Sequence, residues 1–428
     1  YLFQLHAEPL ESGSKVIICT GPTCGRGGKK TIPIFEELAI DLGVTVETFK
    51  CVYDVSAGTL TYLTGSGTGN TAVENASFAV LYKSTLFFAV DTELVFTAPY
   101  ADTDFDPANG AGSINVASTI TGMAVYRNSL IVFCSDKIVQ INGSSAADFS
   151  LSTVTDDIGC LEPDTIQEVG GDVMFLAPDG VRTLSSTERI GDFGLDVTSK
   201  TIRPTLNKQR ATSTNFASYV IREKAQYRLF SYASTERANV AKGVLATKFI
   251  DQGGQGFQWA ELKGYKVHVC DSLLVDDIEL IYAANEDGYV YRHEVGSNRD
   301  SGKIDAIFES AYMPINDPQV RKTFYKLDLY LKPEGAFTCD ASIKLDRNDA
   351  NVIQPAAFTI TGTGGGAVFG STESIFGTSL YSSPNDETYK NNLIGSGKTV
   401  ALRIEDNSAN ASFTLDTAIL EFTTEDRQ

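Results

Sequence analysis

One hairpin recurs along this chain, and that recurrence restricts the fold more than any other feature. "YKSTLFFAVDTELVF" (82–96) and "YRNSLIVFCSDKIVQI" (126–141) align residue on residue, Tyr82 with Tyr126, Leu86 with Leu130 and Leu94 with Ile138, each pair 44 residues apart. "GGDVMFLAPDGVRTL" then brings Val173 43 residues after Leu130. "KAQYRLFSYAS" places Tyr227 about one longer repeat on, and "DIELIYAANEDGYVYRH" places Leu280 another 53 residues later. Every unit reads as a short apolar strand, a polar turn and a second apolar strand. Asp91, Asp136, Asp179-Gly180 and Asp287-Gly288 supply turn residues that tolerate positive φ.

A single hairpin cannot bury both faces, so such units need neighbours. Strand pairs at a period in the forties to fifties fit a β-propeller blade better than any helical solenoid. The sequence therefore predicts an all-β fold whose main part is a β-propeller of five or six blades, the sixth being "VTVETFKCVYDVSAGTLTYLTG" (44–65). Composition agrees: 24 Phe and 18 Tyr against three Met and one Trp favour strands over helices. In "PDGVRTLSSTERIGDFG" (178–194), "PDG" is the turn of one hairpin and "VRTLSS" its return strand.

After "MPINDPQVRKTF" (313–324) the rhythm breaks. "YKLDLYLKPEGAFTCDASIKLD" reads as a hairpin around Pro333-Glu334-Gly335, and "KTVALRIEDNSANASFTLDTAILEF" (398–422) as two or three further alternating strands. Between them lies the Gly/Ser-rich loop 361–386. Its Phe369, Ile375, Phe376 and Tyr381 are costly to leave in water, which makes it a candidate subunit-contact loop. Near the start, "TIPIFEELAIDLG" predicts a short helix, with Pro33 in its first turn and Gly43 at its stop. The domain division expected is an N-terminal segment 1–43 with that helix, a candidate contact with a neighbouring subunit, a propeller 44–319, and a β-sandwich-like domain 320–428.

Motifs that carry chemistry fail on inspection. "GPTCGRGGKKT" (21–31) has Thr23 where a phosphate loop needs glycine and Lys30 where it needs a hydroxyl. "DTDFDPANGAGS" (102–113) alternates aspartates as a calcium loop does, but Pro107 replaces the turn glycine and Ser113 the bidentate glutamate. His6, His268 and His293 have no nucleophile motif nearby, and Cys19 and Cys24 lack a second pair to complete a zinc site. Asp156-Asp157 and Asp276-Asp277 are adjacent, which directs them apart on a strand or into a turn, not into a glycosidase pair. The expectation is a protein with no catalytic residues, no metal and no cofactor.

A formal charge of −19 opposes a tight grip on nucleic-acid phosphates and suits a surface that DNA passes without sticking. Seven scattered cysteines form no disulfide framework, pointing to a reducing compartment during folding. The longest apolar runs, such as "SLIVFC", are strand-sized, so no membrane span is expected. The first residues lack both Met and a signal-peptide layout, which suggests a trimmed start.

The single Trp259 rules out recurrent Trp-Asp blades, and neither repeated double glycines nor repeated Asp-box turns are present. Three stretches do resemble a family. "LVFTAPYADTDF" (94–105), "ITGMAVYRNSLIVFCSDKIVQING" (120–143) and "GGDVMFLAPDGVRTLS" (170–185) are similar to the propeller of bacteriophage tail nozzle proteins, also described as tail tubular or packaged-DNA stabilisation proteins of short-tailed phages. "VALRIEDNSANASFTLDTAILEF" is similar to the β domain that often follows it. The resemblance covers most of 76–310 and more loosely 320–425. It departs from the family in lacking tryptophans near the "AP" strand.

The resemblance implies a structural virion protein of the head-tail connector complex. It would be a homohexameric ring with a tail adaptor above and a needle, plug or fibre protein below, with genomic DNA passing through the lumen during ejection. It would be found in the virion tail, and in host cytoplasm during assembly. The alternative from another class is a propeller that binds or cleaves glycans, an adhesin or glycosidase.

Overall fold

In the computed structural model, the described residues are 6–9, 15–19, 50–54, 59–62, 73, 76–101, 104–189, 197–213, 215–232, 242–251, 254–263, 267–275, 278–285, 289–296, 302–362 and 387–425, the strands before residue 63 by their backbone pairing alone. The chain divides into two compact units, Tyr1–Glu294 and Val295–Gln428.

The first unit is a propeller of six antiparallel sheets, met in chain order. Sheet one contains β1 (His6–Pro9), β2 (Lys15–Cys19), β3 (Lys50–Asp54) and β4 (Thr59–Tyr62). Sheet two contains β5 (Phe78–Tyr82), β6 (Thr85–Val90), β7 (Glu93–Phe96) and β8 (Gly112–Asn115). Sheet three contains β9 (Ile120–Tyr126), β10 (Ser129–Cys134), β11 (Ile138–Asn142) and β12 (Ser150–Thr155). Among the described residues, sheet four has β13 (Gln167–Val169), β14 (Asp172–Ala177) and β15 (Gly180–Thr183), followed by helix α1 (Leu184–Arg189), which packs on β14 and β15. A second helix, α2 (Arg203–Thr212), leads into sheet five: β16 (Asn215–Ile221), β17 (Gln226–Tyr232), β18 (Lys242–Asp251) and β19 (Gly254–Lys263). Sheet six is β20 (Val269–Val275), β21 (Ile278–Ala284) and β22 (Val290–Arg292).

Alternation along the second strands explains the stacking. In β10, Leu130, Val132 and Cys134 face sheet two, where they meet Phe87, Ala89 and Leu94, while Ile131 and Phe133 face sheet four and meet Val173 and Phe175. In β14, Met174 and Leu176 turn the other way, onto Tyr227, Leu229 and Val244 of sheet five. Phe230 and Tyr219 of sheet five then pack on Ile281 and Ala283 of sheet six. Strands buried on both faces are apolar throughout, which is why "SLIVFC" and "DVMFLA" show no polar alternation. The first strands approach one another, β1 on β5, β5 on β9, β13 on β16 and β16 on β20, as the inner strands of propeller blades do.

The hairpin equivalence read from sequence is exact in position: Tyr82 and Tyr126 each end the first strand of their sheet, and Leu86 and Leu130 each lie at the second position of the next. Two boundaries move. The segment 1–43, set apart from the propeller on sequence, contributes β1 and β2 to sheet one, where β2 pairs with β3 across 30 intervening residues, too far for a local pattern to reveal. The short helix expected at 32–42 lies outside the described residues. The second boundary, drawn at 319/320, falls inside the second unit, because β23 (Ala306–Glu309) pairs with a strand near the C-terminus. The return strand after "PDG" is also shorter than "VRTLSS", since Leu184 already begins α1.

The second unit is a two-sheet sandwich. β24 (Lys322–Pro333), β25 (Phe337–Leu345), β26 (Phe358–Gly362), β27 (Glu387–Gly397), β28 (Val400–Asp406) and β29 (Phe413–Thr424) complete it. The sheets run β23-β28-β25-β26 and β27-β24-β29. The stretch around Pro333-Glu334-Gly335 is therefore a corner between sheets and not a hairpin: β24 and β25 do not pair. Leu327, Leu329 and Leu331 face Phe337, Cys339, Ile343 and Leu345 across the core, and the Glu334 amide donates to Ser412 O at 2.9 Å.

Candidate functional site: seams between sheets and an uncovered face

The distinctive chemistry of the first unit lies at the turns that join first and second strands. Lys83 and Ser84 have φ of 50° and 58°, Arg127 and Asn128 46° and 69°, and Gly170 and Gly171 56° and 78°. Two consecutive positive φ values make the hairpin turn whose twist matches that of its strands, but four of these six residues pay a steric penalty that glycine escapes. Contacts with the next sheet offset it. The Tyr82 hydroxyl donates to Asn128 O at 2.9 Å and to Gly143 O at 3.1 Å, and Lys83 Nζ donates to Asn128 Oδ1. One repeat on, the Tyr126 hydroxyl and Arg127 Nη2 both donate to Gly171 O, with the guanidinium 4.9 Å above the Tyr126 ring. Where sheet four has only glycines, Lys248 Nζ of sheet five reaches back to Gly170 O at 2.8 Å.

The seam between sheets five and six is ionic. The turn Arg222–Ala225 is gripped by two carboxylates of sheet six. Glu279 accepts from the Arg222 amide at 2.9 Å and from Arg222 Nη1 at 3.1 Å, and the same Nη1 donates to Ser272 Oγ. Glu294 takes Lys224 Nζ at 2.6 Å and Arg228 Nη1 at 2.7 Å. Arg228 Nη1 also donates to the buried Tyr219 hydroxyl at 3.2 Å, and that hydroxyl lies 3.0 Å from His293 Nδ1. Burial acts to raise the Glu294 carboxyl, but Lys224 and Arg228 outweigh it and hold the group below its usual value.

Sheet six has a second distinctive feature. One face packs on sheet five, whereas on the other Leu273, Val275 and Ile278 are exposed, brought together at one end of the sheet by the register of β20 and β21. Exposed apolar neighbours on one sheet face are a recognisable contact surface.

The residues singled out from sequence fall as follows. Phe369, Ile375, Phe376 and Tyr381 lie outside the described residues, as do Asp102, Asp276, Asp277, Asp287, Gly288 and the stretch 21–31. Asp104 and Asp106 are spent on local donors: Asp104 accepts from the Asp106 amide and Asn109 Nδ2, and Asp106 caps the turn Pro107–Asn109. His268 stacks on Tyr232 with ring centres 3.9 Å apart, and His293 stands against Tyr219. Asp156 and Asp157 are exposed. Cys134, Cys160 and Cys339 are buried free thiols, and burial pushes the Cys134 thiol up to about 11. Among the described residues, no three His, Cys, Asp or Glu side chains gather as a metal site, and no helix is long and apolar enough to cross a membrane. Sequence reasoning missed the seams, although the Tyr-cation pairs Tyr82-Lys83 and Tyr126-Arg127, repeated at the blade period, were a visible signal.

No family model and no curated protein matches the chain. Solved structures resemble it distantly. The extracellular domain of BT4673 from B. thetaiotaomicron, assigned to a one component system, aligns at 9 % identity and TM-score 0.37 over 78 % of this chain. This chain spans 38 % of the length of that domain. The N-terminal domain of Nup159 aligns at 7 % identity and TM-score 0.35, over 69 % of this chain and 75 % of its own. A glycoside hydrolase family 43 arabinoxylan arabinofuranohydrolase from Bacillus subtilis, in complex with cellotetraose, aligns at 8 % and TM-score 0.24, over 99 % and 96 %. These values are too low to carry any functional residue over to this chain.

Proposed function

We propose that the chain is a structural subunit of the tail of a short-tailed bacteriophage, assembling with copies of itself into a ring-shaped nozzle that conducts the genome and helps retain it. One observation carries the reading. The three stretches that resemble nozzle propellers fall in three consecutive sheets: 94–105 carries β7 of the second, 120–143 carries β9 to β11 of the third, and 170–185 carries β14 and β15 of the fourth, with Arg127 of the second stretch bonded to Gly171 of the third. Such bonding suits a part that transmits load and turns nothing over. Leu273, Val275 and Ile278, exposed together at one end of sheet six, offer a surface for self-association. The net charge of −19 supports a lumen along which DNA slides. In this reading a tail adaptor lies above the ring, a needle, plug or fibre protein below it, and the protein resides in the virion.

Negative-stain microscopy of the purified protein and of virions labelled with an antibody to it tests the proposal. A sixfold ring, labelled at the tail tip, is expected. A monomer that binds or cleaves polysaccharide would replace the nozzle reading with the glycan one.

A further inference from the structure

Glu294 is the last residue of the first unit. Its backbone is in the left-handed region, φ 60°, a conformation that glutamate adopts only at a cost. Lys224 and Arg228, both from the hairpin of sheet five, bracket its two carboxylate oxygens. Arg228 is fixed in turn by Tyr219 and by Gln226 Oε1 at 3.1 Å. One residue earlier, the His293 amide donates to Ile281 O at 2.9 Å, and its ring meets the Tyr219 hydroxyl. β22 is only three residues long, so its own ladder holds it weakly. The ion pairs of Glu294 add a second grip on this end of the sheet.

We propose that the Lys224–Arg228–Glu294 cluster is a charge latch. It fixes the point where the chain leaves the sixth sheet for the second unit, and neutralising Glu294 releases β22 and that exit while both units stay folded. Among the described residues, Lys224, Arg228 and Tyr219 from sheet five and His293 from sheet six are the ionisable groups of this cluster, with the Arg222–Glu279 pair bracing the other side of the same turn. A latch of this kind responds to charge: acid or a competing polyanion opens it, whereas an apolar seam would hold.

Hydrogen exchange on the full chain tests this, read at the amides of 290–296. E294Q is expected to speed exchange of the His293 amide at least tenfold, while the amides of β10 and β14 stay protected. K224M removes the more exposed cation and is expected to give a smaller acceleration in the same segment, which keeps the test valid if E294Q destabilises the whole unit. E261Q, which breaks the exposed Lys263–Glu261 pair, serves as the unaffected control. On acidification the wild type should approach E294Q, and E294Q should change little. Equal exchange in wild type, E294Q and K224M would overturn the latch. So would an acid response that persists in E294Q, because it would belong to His293.

Discussion

Arg182 carries a full positive charge with its side chain 0 % exposed, and Asp179 makes that tolerable. The carboxylate takes Nε at 3.0 Å and Nη2 at 2.6 Å, a two-pronged pair at the turn that joins β14 to β15. Arg210 of α2 braces the same turn through Pro178 O at 2.7 Å. The polar look of "PDGVRTLSS" therefore hides a buried lock. Removing one partner of a buried pair leaves the other charge unmatched, which costs about 3–5 kcal/mol. Asp179→Asn is expected to lower the unfolding free energy by roughly that amount in urea titrations. A loss under about 1 kcal/mol would mean that the pair is solvated and not buried. Single residues also show what sequence hides: Lys83 and Arg127 take left-handed conformations usually reserved for glycine or asparagine, and contacts 45 and 44 residues away brace them there.

At the scale of strands and turns, the seams make two further predictions. Tyr82→Phe deletes a donor shared by Asn128 O and Gly143 O while keeping the ring that packs on Phe87 and Phe149. A cost of about 1–2 kcal/mol is expected, read by urea denaturation, and a neutral result would show that water replaces the hydroxyl. The loop that presents Gly143 is closed by Asp148, whose carboxylate accepts the amides of Ser144 and Ser145 and their hydroxyls. The Ser144 amide first, then the Ser145 amide and hydroxyl, hold that carboxyl down to about 2, below its ordinary 3.8. Since the folded value is the lower one, the unfolded chain takes up the proton first. The contribution is thus complete well above 3.8 and disappears as pH falls towards 2. Asp148→Asn should flatten the wild-type loss of stability over that acid range, and parallel curves would contradict the assignment. Elements differ in how far sequence reveals them. Hairpins of 82–96 and 126–141 were legible because both strands and their turn are contiguous. The corner at Pro333-Glu334-Gly335 was misread because alternation is the same whether two strands pair within a sheet or face each other across a core. β2 was set apart from the propeller because its partner β3 lies beyond any local window, and β1 reaches the sheet only through β2.

For the whole molecule, the repeat period led to stacked sheets because a two-faced apolar strand has nowhere else to go than between neighbours. The cores follow that order: Phe87 with Leu130, Phe133 with Phe175, Leu176 with Leu229, and Phe230 with Ile281. What the period does not contain is the use of the stack. The aromatic residues of the loop offered on sequence as the subunit contact, Phe369, Ile375, Phe376 and Tyr381, lie outside the described residues, whereas the exposed Leu273, Val275 and Ile278 of sheet six emerged only from strand register and burial. A cryo-electron microscopy map of the purified full chain tests the mechanical reading most directly. The expected map contains six copies around one axis, each with its first-unit sheets stacked in chain order and their first strands innermost. A map of isolated single chains, or one in which the sheets of 76–294 are scattered without a shared axis, would contradict it.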